Sequence, residues 1–291
     1  MTALLERVAG APISWGVCEV PGWGHQLDAG RVLSEMREVG LRATEFGPDG
    51  FLPDAPAAKA ATLAEHGLAA VGGFVPVVLH EDGHDPLPGV DRALDGFLAA
   101  GAGVLVLAAA SGTDGYDARP ELDERDWKRL LGNLDRLSDQ AAGRSVQACL
   151  HPHVGTMVET ADDVSRVLDG SSVPLCLDTG HLLIGGSDPV ALAAKETDRI
   201  VHAHLKDVDR AWAERVQFGG TTYTEAVAAG MYRPLGEGDV DIAAIVTTLE
   251  RSGYDGWYVM EQDTVLGSET DGDRAVGDVR ASVDHLRGLA L

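Results

Sequence analysis

Basic residues are scarce in this chain. Only 23 Lys and Arg stand against 46 Asp and Glu, and the formal net charge is -23. Such a surface repels phosphate backbones, which excludes nucleic acid as an expected partner. The acidic residues are spread along the chain rather than gathered into a tail, so they read as a solubility feature and name no substrate. Cysteine is rarer still. Cys18, Cys149 and Cys176 show no CxxC spacing, and the last two lie inside apolar runs, as expected of buried thiols in a reducing cytoplasm. No apolar run reaches the ~18 residues that span a bilayer. The opening MTALLERVAG has no basic flank before a long apolar core, so neither a secretory leader nor a membrane partner is expected. No GxGxxG follows the first apolar run, and neither GxxxxGK[ST] nor a GxSxG elbow occurs, which sets aside dinucleotide, P-loop and serine hydrolase chemistry. Internal repeats and low-complexity linkers are missing as well.

What is present is alternation. In 291 residues, 45% of them apolar, short apolar runs are followed by longer segments with helical spacing. Eight runs read as strands: Val8–Ser14, Leu41–Phe46, Leu68–Pro76, Val104–Ala108, Val146–Leu150, Val173–Leu177, Ile200–Leu205 and Trp257–Met260. Between them, Leu33, Met36 and Val39 share a face after Asp28, a candidate N-cap, and Trp127, Leu130, Leu131, Leu134 and Leu137 share another. Thr160 with Asp163 approaches a capping box, and Asp188-Pro189 reads as N-cap and first helical position. This α/β pattern predicts a single-domain (β/α)8 TIM barrel over residues 1–291. The longest irregular segment, Asp207–Asp239, holds Trp212, Phe218, Tyr223, Met231 and Tyr232. It is too aromatic for a solvated loop, and reads as a lid or as a contact with a second copy in a homo-oligomer.

In such a barrel the C-terminal strand ends converge on one face, where active sites are built. The expected strand ends carry Glu45, His80-Glu81, His151-Pro152-His153, Asp178 with His181, then His202, His204, Lys206 and Asp207, and finally Glu261-Gln262-Asp263. Any one of them alone reads as a hydrogen-bonded structural group; Asp178 alone is as well explained as a turn cap, and Lys206-Asp207 as an exposed ion pair. Their convergence changes the reading, because carboxylates and imidazoles crowded at one mouth call for a cation. In His202-Ala203-His204 the strand period of two puts both rings on one face. The DTG of Asp178–Gly180 is no aspartic protease signature, since no second copy exists.

The motifs APISWG, TEFGPDGFLP, LHPHVGTMVET, CLDTGH, VHAHLKDV, PLGEGDVD and MEQD follow one another across nearly the whole chain. Together they resemble the xylose isomerase-like TIM barrels, the sugar phosphate isomerase/epimerase superfamily, and within it are most similar to the inosose dehydratases, which remove water from 2-keto-myo-inositol. The resemblance implies a divalent metal, Mn²⁺ or Co²⁺ foremost with Zn²⁺, Fe²⁺ or Mg²⁺ open, held by Glu, Asp, His and Glu from strands five to eight. Asp178, His204 and Glu261 match three of these. At strand five, relatives read LExH and this chain reads LHPH; Glu159 is favoured as the fourth ligand for its charge, with His151 contacting substrate or ligating in its place.

The implied activity is a carbon–oxygen lyase acting on a small polyol or keto-sugar through a metal-stabilised enediolate. A base takes the α proton and an acid protonates the departing hydroxyl. His153, His181, Lys206 and Glu45 are the candidates for those roles, and Trp15, His151, His202 and Arg233 for substrate contact. A ketose isomerase or epimerase, or a lyase of 3-keto-glycosides, is the alternative on the same site. A multi-zinc phosphodiesterase on this barrel would need a basic face that the composition denies.

Overall fold

The computed structural model describes residues 3–289; residues 1, 2, 290 and 291, the ends of the expected domain, lie outside it. Eight parallel strands close a barrel: β1 Val8–Gly10, β2 Ala43–Glu45, β3 Ala69–Val77, β4 Val104–Ala109, β5 Gln147–Leu150, β6 Leu175–Asp178, β7 Ile200–Leu205 and β8 Tyr258–Met260. The first pairs with the last, Val8 to Tyr258 through Gly10 to Met260. All eight expected runs become strands, and β7 has the expected bounds. The run at Val8 is cut short because Pro12 opens a 3-10 turn, Pro12–Trp15.

The inward face is filled by small side chains. Ala9, Ala43, Val71 and Val259 form one buried cluster, and Val106, Cys149 and Cys176 another. The larger core lies between barrel and helices, where the helices Ala29–Glu38, Glu124–Gly143 and Ile242–Ser252 bury Met36, Leu130 and Leu249. Asp28 caps the first of these through Gly30 N. Thr160 and Asp163 form the anticipated capping box, and Asp188 caps the helix that begins at Pro189.

The segment 207–239 is regular rather than irregular. Helices Arg210–Gln217 and Tyr223–Ala228 are capped by Asp209 and Thr222, and Asp207–Val208 pairs antiparallel with Tyr232–Arg233. Asp207 is wholly buried and accepts from Gly236 N, Gly238 N and Val240 N, so it organises this excursion and is no exposed partner of Lys206.

Candidate metal centre and acid–base site

The strand period of two builds the site directly on the barrel plug. Cys149 and Cys176 point inward as core, and two residues on, His151 and Asp178 point inward at the mouth. Val259 and Glu261 repeat the relation on β8. The β6–β7 register sets Asp178 beside His204.

Asp178 has two tasks, one per oxygen. Oδ1 accepts from Gly180 N at 2.9 Å and His181 N at 2.8 Å, capping the short helix Thr179–Ile184. Oδ2 lies 2.9 Å from His151 Nε2 and 3.7 Å from both His204 Nδ1 and Lys206 Nζ. Glu261 Oε2 approaches the same His204 Nδ1 at 3.0 Å. The ligand atoms of Asp178, His204 and Glu261 all fall within 4.8 Å of one another. His151 stands beside Asp178, 2.9 Å from its Oδ2, so that β5, β6, β7 and β8 each deliver a donor to this part of the mouth.

This arrangement fits a divalent cation. His204 Nδ1 is buried among carboxylates without a hydrogen-bond partner. Its other nitrogen, Nε2, donates to Glu45 Oε1 at 2.9 Å, which fixes the tautomer and leaves the Nδ1 lone pair for an ion. Four buried carboxylates, Glu45, Asp178, Glu261 and Asp263, face one ammonium, that of Lys206. Burial alone would lower the His204 pKa, but Glu261 and Glu45 push it well above the usual histidine value. The field that would protonate Nδ1 is the field that favours a cation there. Imidazole with carboxylate donors suits Mn²⁺, Co²⁺, Fe²⁺ or Zn²⁺.

Beside this ring lies a row of polar side chains, all buried. Lys206 Nζ donates to Asp263 Oδ1 at 2.6 Å, and Asp263 Oδ2 accepts from the Tyr223 hydroxyl, also at 2.6 Å. Nζ also lies 3.1 Å from Glu261 Oε2 and 3.1 Å from His181 Nε2. Burial opposes the Lys206 charge, yet Asp263, Glu261 and Asp178 hold its pKa well above the usual lysine value, so it is an ammonium. His153 stacks between His181, 3.7 Å away between ring centroids, and Tyr116, 4.2 Å away. Its Nδ1 donates to Val154 O at 2.7 Å, leaving the lone pair on Nε2. Burial, then His151 and Lys206, push the His153 pKa well below the histidine value, so the ring is neutral. Gly180 permits this packing, since a Cβ there would stand 2.7 Å from Lys206 Cβ and 2.9 Å from Tyr232 Cε1.

The structure brings His151, His153, Asp178, His181, His204, Lys206, Glu261 and Glu45 together and sets four candidates apart. Glu159 accepts from Gly155 N at 2.8 Å and pairs with Arg119 at 3.5 Å, whereas His151 stands 2.9 Å from Asp178 Oδ2. Arg233 is half-buried and pairs with Asp209 at 3.1 Å, a contact of the excursion rather than of the ring. Trp15 is fully buried core, its indole N–H donating to Glu35 at 2.8 Å, and Trp23 lines the cavity instead. His202 is buried behind Glu45, 2.8 Å from Oε1, and braces that carboxylate rather than reaching substrate. Glu45 itself lines the cavity but is committed to two histidines; burial raises its pKa, and His204 and His202 outweigh this and bring it to about 2.

Sequence reasoning assigns no role to four participants. Asp263 carries a signal, two residues beyond Glu261 at the end of β8. Tyr223 and Tyr232 belong to the aromatic excursion; Tyr223 donates to Asp263, and the Tyr232 ring centroid lies 5.4 Å from Lys206 Nζ. Tyr116 on the loop after β4 has no sequence signal.

The family model of the xylose isomerase-like TIM barrel matches residues 33–289. The chain is 32% identical over 275 residues to an inosose dehydratase of Geobacillus kaustophilus (strain HTA426), covering 88% of this chain and 87% of that protein. It is 33% identical over 268 residues to the rhizopine catabolism protein MocC of Rhizobium meliloti, with coverage of 88% and 81%. Among solved structures, the IolI protein with a bound zinc atom matches with a TM-score of 0.70 at 14% identity, over 98% of this chain and 99% of that one, a likeness that speaks for the fold. The order of the strand-end motifs, the closed barrel and these matches agree: the chain belongs to the xylose isomerase-like TIM barrel family.

Proposed function

We propose that this protein is a metal-dependent hydro-lyase that dehydrates a keto-inositol or a closely related keto-sugar. The observation that carries the reading is the meeting of Asp178, His204 and Glu261 within 4.8 Å of one another, with His151 beside Asp178 and a neutral imidazole and an ammonium in the same cavity. The inosose dehydratase relative, similar over most of its length, supports the substrate class.

His151, Asp178, His204 and Glu261 would hold the ion, with Mn²⁺ or Co²⁺ our assignment. A divalent ion at that position supplies Lewis-acid polarisation of a ketone, which acidifies the neighbouring C–H. Glu45 orients His204, and His202 orients Glu45. His153, kept neutral by burial and by its Nδ1 donation to Val154 O, takes the α proton on Nε2. Lys206 donates a proton to the departing hydroxide, a far stronger base than a lysine amine. His181 lies against both, 3.7 Å between ring centroids from His153 and 3.1 Å from Lys206 Nζ, and holds base and acid side by side, each regaining its starting protonation by exchange with solvent between turnovers. Trp23, Phe74 and Tyr116 wall the cavity and limit water. No described helix is long and apolar enough to cross a membrane; the cytoplasm remains our assignment.

The test is incubation of the Mn²⁺- or Co²⁺-loaded protein with 2-keto-myo-inositol, following the absorbance of the enedione-type product. A rise that disappears in Lys206→Met and His153→Ala is expected. Solvent deuterium entering the substrate without loss of water would replace the lyase with an epimerase.

A further inference from the structure

Among the described residues five groups of three buried donors bring their ligand atoms within 4.8 Å of one another, and two of these groups that share no residue border Lys206. The first is Asp178, His204 and Glu261; the second is His153, His181 and Asp263, again with ligand atoms within 4.8 Å of one another and all buried. Two imidazoles and a carboxylate are an ordinary ligand set for a transition metal. Into this second set the structure inserts one side chain, Lys206. Its Nζ lies 2.6 Å from Asp263 Oδ1, 3.1 Å from His181 Nε2 and 3.1 Å from Glu261 Oε2, the last shared with the first set. A lysine ammonium has three N–H donors and no acceptor. Here Asp263 Oδ1 and His181 Nε2 accept from it, and Glu261 Oε2 stands within ion-pair distance of the third N–H. At His181 this contact is the closer of two, since the Val154 N–H stands 3.4 Å from Nδ1.

We propose that Lys206 occupies a second cation position, so that this chain takes a single divalent ion and carries its second positive centre covalently, as an ammonium. The proposal rests on the metal reading above and adds to it. The distinction has a chemical consequence. Paired metal ions suit hydrolytic displacement, because they clamp attacking and leaving oxygens together. An ammonium in the second place supplies comparable positive charge but also a transferable proton, and expulsion of hydroxide needs that proton. Lys206 thus commits the cavity to elimination and denies it two-metal hydrolysis.

The experiment counts ions. Wild type and Lys206→Ala are stripped with chelator, reloaded with Mn²⁺, desalted and analysed for metal per chain, with electron paramagnetic resonance to detect coupling between neighbouring Mn²⁺ ions. Wild type is expected to hold one equivalent without coupling, Lys206→Ala two equivalents with a coupled signal, and the double variant Lys206→Ala/Asp263→Asn one again. Ethylammonium added to Lys206→Ala, returning a free ammonium to the vacated place, is expected to expel the second ion and leave the first. Should Lys206→Ala fold poorly by circular dichroism, Lys206→Ser must give the same doubling. One equivalent in a folded Lys206 variant, or two in wild type, overturns the proposal while leaving the metal reading intact. No metal in wild type overturns both.

Discussion

Replacement of Asp178 separates two jobs that one carboxylate performs. Oδ1 accepts two helix N–H groups, and Oδ2 faces His151, His204 and Lys206. Asparagine keeps a cap oxygen of the same reach and removes the charge; alanine removes both. A lost N-cap costs about 1 kcal/mol, and up to about 2 in the strongest instances. With both amides buried here, the Asn-to-Ala step is expected near that upper figure. In a chain of this size each kcal/mol moves the melting temperature by roughly 2 °C, so metal-free Asp178→Ala should melt about 2–4 °C below metal-free Asp178→Asn. Metal affinity should behave differently. Loss of a residue that only supports a ligand weakens binding about 10–100-fold, and loss of a ligand must exceed that in both variants alike. Differential scanning calorimetry of the stripped proteins gives the first quantity, and calorimetric Mn²⁺ titration the second. Equal melting temperatures for the two variants would show that the cap carries nothing; wild-type Mn²⁺ affinity in either would remove Asp178 from the coordination sphere and with it the reason we give for its place at the strand tip.

Other substitutions probe the remaining assignments. His151→Ala should abolish tight Mn²⁺ binding, whereas Glu159→Gln should leave the titration unchanged, because Glu159 holds Gly155 and Arg119 away from the ring; the reverse result would restore Glu159 as the fourth donor. Gly180→Ala must push Lys206 or Tyr232 aside, a cost of about 1–3 kcal/mol for overpacking, read as a lower denaturation midpoint together with a fall in kcat. Asp163 gives a pH signature of stability away from the metal. Burial raises its pKa, but the Thr160 N–H and Arg119 outweigh this and hold it below the usual aspartate value. Its contribution is therefore fully present above the unfolded value near 3.9 and vanishes as pH falls through the lower folded value. Asp163→Asn should cost about 1 kcal/mol at pH 7, with the two urea curves converging as the pH is lowered below about 4; a gap that widens on acidification would contradict the assignment.

The barrel was readable because its strands are short, apolar and punctuated, and β-strand burial on both faces leaves that mark on any sequence. Ile200–Leu205 is bounded by Arg199 and Lys206, and its limits are those of the strand. Local chemistry displaced others: Pro12 turned the first run into a 3-10 segment. The 207–239 excursion reads as irregular because its helices are eight and six residues long, too short for a periodic apolar stripe.

The amino-acid order alone determined that a carboxylate, two histidine pairs and a glutamate would arrive at the ends of successive strands, since a strand's period of two and its apolar run fix where it ends and which residues share a face. It could not decide depth or direction off the strand. His202 and His204 share a face, yet two residues of strand rise, about 7 Å, put one ring behind Glu45 and the other at the mouth. Glu159 on a loop, Trp15 in a 3-10 turn and Arg233 in a two-residue strand take their directions from contacts with Arg119, Glu35 and Asp209, none of them near in sequence. Which side chains converge on one point, and that Lys206 stands between Asp263, His181 and Glu261, follow from closure of the barrel, because only closure brings β5 and β8 across the same mouth.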